Sequence, residues 1–146
     1  EGFKEAVKNE SRIKIVGLKE SNISKTGAIQ ATYDLLKENP NITAFYGTSA
    51  LDGIGIAQVI RTMLPYTDPY VITFDTLPET LQLLEAEEID AIVVQHPYEM
   101  GYVAVNMLVE LKKGNYPEKV QHTPTSIIRK KDINQSLKED VHENNK

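Results

Sequence analysis

The 146-residue chain predicts an α/β fold, a doubly wound and mainly parallel sheet, on three observations. Short apolar runs at 70–74 (YVITF) and 91–94 (AIVV) lack the alternation of a half-exposed strand, so both of their faces are expected to be covered. Such runs alternate along the chain with segments of helical periodicity, the pattern of strand–helix units joined by right-handed crossovers. Each run also stops abruptly on a residue able to hydrogen-bond, Asp75 or Gln95, with a Pro and a helical pattern after it. In open α/β sheets small ligands bind outside the carboxyl ends of the strands. A carboxylate and an amide at two such ends therefore point to a neutral, hydroxyl-rich ligand.

The elements follow in order. Residues 2–8 read as the end of a helix, and 12–18 (RIKIVGL) as a strand. Ser24 is an N-cap for a helix over 25–38, in which Ala28, Ala31, Leu35 and Leu36 share a face; Asn39–Pro40 stops it. A strand over 42–46 and a helix over 51–64 come next. Strand 70–74, helix 79–86, strand 91–94 and helix 98–113 follow, the last closed by Gly114. An extended stretch over 120–129 precedes a polar tail, 134–146, expected to be loosely ordered. The domain is expected to span 1–133.

Composition narrows the function classes. The length suits one domain with a real core. Lys and Arg number 16 against 21 Asp and Glu, a net charge of −5 that argues against a nucleic-acid partner, since phosphate binding needs a basic face. The absence of Cys excludes a disulfide framework, thiol catalysis and cysteine-ligated zinc. No apolar run approaches the roughly 18 residues of a membrane span. The start at Glu1, without Met, reads as a piece of something longer.

Asp75 can accept two charge-assisted hydrogen bonds and so suits paired hydroxyls; equally, it could cap the helix that begins after Leu77–Pro78. Gln95 offers both a donor and an acceptor, the alternative being a buried amide satisfied by a neighbouring loop. Thr48 and Ser49 sit at a strand end and could donate to a hydroxyl, but at least one is expected simply to cap the next helix. Gly53 and Gly55 start a dinucleotide fingerprint that Gln58 leaves incomplete, so close helix–sheet packing explains them better. His96 adjoins Gln95 and could line the same crevice; with His122 far along the chain and Pro97 between His96 and Glu99, no metal site is expected. Glu85, Glu87, Glu88 and Asp90 read as a solvated helix end. No nucleophile-elbow Ser or complete phosphate loop marks an enzyme.

Five segments taken together carry a resemblance: EGFKEAV, ITAFYGTSALDGIGIAQVI, YVITFDTLPETL, AIVVQHPYEMGYVAVNML and TPTSIIRKKDIN. In this order and spacing the chain resembles the C-terminal part of type I periplasmic-type solute-binding proteins, the group of the ribose- and galactose-binding proteins. The resemblance implies a flavodoxin-like lobe, no cofactor and no catalysis. It implies a sugar or polyol bound between two closing lobes, an ABC permease as partner, and a place outside the cytoplasm, in a periplasm or as a Gram-positive surface lipoprotein. By the same token, Asp75 would accept sugar hydroxyls and Gln95 would contact the same ligand near the hinge. Ser49 and Ala50 stand where the family has Asn and often Asp, which weakens that edge for a simple pentose or hexose. The lobe's first strand, a ligand-contacting Arg and the N-terminal lobe would lie upstream of Glu1. Helix 98–113 would pack on that other lobe; its stripe of Met100, Val103, Ala104, Met107, Leu108 and Leu111 is expected to fold back on this lobe or to be covered by a second copy in a homodimer. The effector domain of a LacI-type regulator and the sensor module of a membrane receptor share the fold and stand as alternatives.

Overall fold

The computed structural model describes residues 1–64 and 66–133; the expected tail, 134–146, lies outside the described residues. Helix α1 (Gly2–Val7) opens the chain, and α2 (Lys25–Glu38) begins at Ser24, whose Oγ accepts from Gly27 N at 3.1 Å. The units β1 (Ala44–Tyr46)–α3 (Ala50–Met63), β2 (Tyr70–Phe74)–α4 (Pro78–Glu85) and β3 (Ala91–Gln95)–α5 (Pro97–Lys112) follow, and β4 (Thr125–Ile128) completes the sheet before a short 3-10 turn at Lys130–Asp132. The strand order is β1-β2-β3-β4, with β1, β2 and β3 parallel and β4 antiparallel to β3, pairing Ile92 with Ile128 and Gln95 with Thr125. The fold is thus the α/β architecture expected from the apolar runs, and helix boundaries agree to within a residue or so.

Alternation along each strand sorts the side chains into two faces. Phe45, Val71, Ile92 and Ile128 point into the core and meet Leu36, Ile56, Val59 and Leu84 from helices α2, α3 and α4. Tyr46, one residue after Phe45, faces the other way and carries α1, with the Phe3 ring stacked on it at 4.5 Å. Two glycines set the helix spacing. A Cβ on Gly53 would meet Thr73 Oγ1 of β2 at 2.5 Å, and one on Gly55 would meet Ala28 Cβ of α2 at 2.5 Å. Gly53 serves helix–sheet packing as expected, whereas Gly55 serves the contact between two helices.

Three expectations are corrected. Residues 12–18 form no strand: a strand needs a neighbour to take its backbone hydrogen bonds, and among the described residues none pairs with this segment. It lies instead along α2, tied by Lys19 to Glu38 at 2.6 Å and by Asn39 Nδ2 to Val16 O at 3.5 Å. The stripe on α5 does not fold back on this lobe. That helix has no buried residue, and Leu108 is 65% exposed, because α5 leaves the sheet at His96 and α2, α3 and α4 already fill the packed face. The acidic turn is not merely solvated. Asp90 Oδ2 accepts from Val71 N at 2.7 Å, Glu88 pairs with Arg61 at 3.0 Å and Glu87 with Lys130 at 2.9 Å, since each faces a donor across the sheet's amino end.

Candidate functional site

The carboxyl ends of β1, β2 and β3 and the amino ends of α2, α3 and α4 meet at one end of the lobe, where Lys25 of α2 reaches Glu79 of α4 at 2.9 Å. Asp75 follows the last residue of β2 with φ 61, a left-handed conformation that Asp tolerates better than most residues. Its N–H donates to Val93 O at 2.9 Å, which continues the parallel pairing one residue past the strand. Leu77, rather than Asp75, is the N-cap residue of α4, and the turn is held by Thr80. That fully buried hydroxyl accepts from Leu77 N at 2.8 Å and shares its proton between Leu77 O at 2.9 Å and Asp75 O at 3.2 Å. The Asp75 carboxylate is thereby left to Gln95, whose Nε2 donates to Oδ1 at 3.1 Å and Oδ2 at 3.2 Å. Two residues separated by 20 positions in sequence form one polar pair at adjacent strand ends. The amide donor fixes the carboxylate, while the remaining lone pairs and the amide oxygen stay available as acceptors.

Thr48 and Ser49 are organised by a residue to which the sequence reading assigned no role, Asp52. Ser49 caps α3, its Oγ accepting from Asp52 N at 3.2 Å. Thr48 donates to Asp52 Oδ2 from both its N–H (2.9 Å) and its hydroxyl (3.1 Å). The other oxygen, Oδ1, accepts from Ser21 Oγ at 2.5 Å. The signal for Asp52 was present as Ser49-x-x-Asp52, the spacing of an N-terminal capping box. Thr73 connects the two groups of residues: its buried hydroxyl donates to Ser49 O at 2.7 Å from the strand that ends on Asp75.

His96 is drawn away from Asp75, its Nε2 lying 2.8 Å from Ser126 Oγ on β4. Tyr46 and Phe74 supply aromatic surface near the strand ends, their rings meeting edge-on at 5.9 Å, and burial raises the Tyr46 phenol above its ordinary pKa. Among the described residues no cluster of His, Asp or Glu could hold a metal ion. Two open concavities of about 480 and 330 Å³ lie at the opposite, amino end of the sheet, the larger lined by Asp68, Asp90 and Arg129 among others. The polar cluster at the strand ends and these two concavities therefore lie at opposite ends of the sheet. At the strand carboxyl ends hydrogen bonds gather the polar side chains of Thr48 with Asp52 and of Asp75 with Gln95.

Comparison with known proteins identifies the family. The model of a periplasmic binding protein domain matches residues 1–115. Among solved structures, the chain is similar to the glucose-galactose binding protein GanP of Geobacillus stearothermophilus, at 48% identity and a TM-score of 0.83 over 90% of this chain and 47% of that one. It is similar as well to a chain of the XylFII-LytSN complex, at 34% identity and a TM-score of 0.76 over 90% of this chain and 46% of that one. A curated relative, the D-allose-binding periplasmic protein of Escherichia coli K12, is 29% identical over 112 residues, 77% of this chain and 36% of the relative. The chain thus spans a third to a half of the length of these relatives. With the family match covering most of its residues and the solved relatives sharing its fold, the chain belongs to the periplasmic binding protein domain family.

Proposed function

We propose that this chain is the C-terminal ligand-binding lobe of a solute receptor that takes a sugar or polyol between two lobes and presents it to a carbohydrate ABC permease. The observation that carries the reading is the Asp75–Gln95 pair at the ends of β2 and β3. A carboxylate oriented by an amide presents acceptors to vicinal hydroxyls, and the amide oxygen accepts a further one. Thr48 and Ser49 supply the adjacent edge, and His96, turned toward Ser126 of β4, stands outside this group where the chain leaves β3. Charge-assisted hydrogen bonds of this kind contribute roughly 1.5–3 kcal/mol each. Binding and closure of the lobes, without cofactor or catalysis, would constitute the mechanism. Under this proposal the receptor works outside the cytoplasm, free in a periplasm or held at a Gram-positive surface as a lipoprotein, which the periplasmic members of the family support. In this reading the exposed stripe on α5 packs on a second lobe, or on a second copy where that lobe is absent.

A second reading is favoured by one finding: a relative 34% identical to this chain was solved in the XylFII-LytSN complex. In this reading the lobe belongs to a sensor module, and its ligand-bound state acts on a partner protein instead of a permease. The binding step is common to both readings and is tested first. The protein carrying this chain is titrated with D-glucose, D-galactose, D-allose and a set of pentoses and polyols while its melting temperature is followed. A bound sugar at a hundredfold excess over Kd stabilises by about 2.7 kcal/mol, so a shift of several degrees is expected. At the same sugar concentration the shift is expected to fall to about half or less in Asp75→Asn. No shift with any of the panel, in a folded protein, would overturn the reading.

A further inference from the structure

Asp52 does more than begin a helix. It is 8% exposed, and burial of a carboxylate is unfavourable unless its oxygens are hydrogen-bonded. A capping-box carboxylate at this position would reach back to the N–H of the cap residue Ser49, whereas here the three donors are Thr48 N, Thr48 Oγ1 and, 31 residues away in sequence, Ser21 Oγ. The Ser21 side of this bond belongs to an unusual turn. Asn22 and Ile23 both lie in the left-handed region, at φ 52 and 50, and a β-branched residue adopts that conformation only under constraint. The constraints are local and few. Ser21 Oγ accepts from Ile23 N at 3.2 Å, Ser24 Oγ donates to Ser21 O at 2.9 Å, and Gly27 has no Cβ to collide with Ser21 O. Ser21 Oγ is thus at once an acceptor inside the strained turn and a donor to Asp52. One carboxylate fastens the turn before α2 to the loop between β1 and α3.

We infer that Asp52 is a positioning residue for ligand binding, which clamps the turn at 21–24 to Thr48 and holds the two loops as one preformed wall of the crevice. The inference rests on the reading of this end as the carbohydrate site. Its chemistry fits the chain's own pattern: Ser49 and Ala50 leave the loop without a side-chain carboxylate or amide of its own, and Asp52 brings one in from the first turn of α3. A loop held in its binding conformation avoids the loss of affinity that a partly populated conformation imposes, since apparent Kd rises as the competent fraction falls.

The test uses Asp52→Asn, Ser21→Ala and the double variant, with Asp75→Asn beside them. Amide exchange is measured first, on the chain without sugar. Faster exchange at Thr48 and Ile23 in both single variants, with β2 and β3 unchanged, is expected; unchanged exchange at those amides overturns the clamp. Sugar affinity is then titrated at a temperature well below unfolding. Each single variant is expected to weaken binding about five- to twentyfold, with the double variant no weaker than Asp52→Asn alone, because both remove one clamp. A lowered melting temperature with unchanged Kd would show that Asp52 is structural only and would overturn the proposal. If Asp52→Asn does not fold, Ser21→Ala alone decides in the same two ways. Should Asp75→Asn bind like the unaltered protein while Ser21→Ala weakens binding, the assignment of Asp75 fails and the clamp stands. If no sugar binds the unaltered protein, the carbohydrate reading fails, and with it the binding role of Asp52, whatever the exchange data show.

Discussion

Asp75 holds its position through two requirements that one substitution can separate. Its left-handed backbone costs an ordinary residue roughly 1–2 kcal/mol, a cost that Asn and Asp reduce with their short polar side chains. Ala at 75 would therefore mix backbone strain with loss of the carboxylate, whereas Asn isolates the charge. Asp75→Asn is expected to change the melting temperature by less than about 2 °C while weakening sugar binding at least tenfold, since each factor of ten corresponds to about 1.4 kcal/mol. A change of affinity below about twofold would remove Asp75 from the ligand contacts. Tyr46 gives a pH signature at the same scale. Burial raises its phenol pKa in the folded state, so its stabilising effect is complete below the unfolded value near 10 and is lost as pH rises through the folded value. Alkaline unfolding monitored above about pH 10 should accordingly begin at higher pH in Tyr46→Phe.

At the scale of elements, α3 is the part on which the site depends. It packs on β2 through Gly53 and on α2 through Gly55, and its first turn carries Ser49 and Asp52. A methyl group on Gly55 would sit 2.5 Å from Ala28 Cβ and 3.0 Å from Ile29 N, backbone that cannot swing aside. Gly55→Ala should destabilise the fold by roughly 1–3 kcal/mol as α2 is pushed off, readable as a lower urea midpoint. Thr80 has a comparable role under Asp75. Thr80→Val leaves Leu77 N without its acceptor in a part-buried turn and should cost about 0.5–1.5 kcal/mol. Because the hydroxyl also bonds Asp75 O, the variant is expected to weaken sugar binding as well, in contrast to Gly55→Ala at equal destabilisation.

At the scale of the molecule, cohesion is uneven. Val71, Leu84, Ile89 and Ile92 are all but inaccessible, whereas residues 12–18 and the whole of α5 lie at the surface with apolar side chains exposed. Hydrogen exchange should therefore be slowest in β2 and β3 and close to unprotected across 12–18. An apolar helix face of this kind favours association. Sedimentation of the 146-residue chain is expected to show concentration-dependent self-association that Leu108→Glu with Val105→Glu reduces. A monomer at all concentrations would argue against a second copy on α5.

What the sequence determined by itself follows from local chemistry. Continuous apolar runs, helical periodicity and capping residues such as Ser24 and Ser49 depend on neighbours within a few positions, so the order of β1 to β3 and α2 to α5 was legible without a structure. That Asp75 and Gln95 close two strands was legible too, because both follow apolar runs directly. What only the tertiary structure decided are relations between distant segments. The strand pattern at 12–18 needs a partner that local sequence cannot supply, and the antiparallel place of β4 depends on where the chain returns after α5. The bond from Ser21 to Asp52 and that from Gln95 to Asp75 form only once the strand ends stand side by side. A capping pattern predicts that Asp52 lies at a helix start; only the folded chain shows that its carboxylate turns to the adjoining loop and to a turn 31 residues upstream, where burial makes those hydrogen bonds necessary.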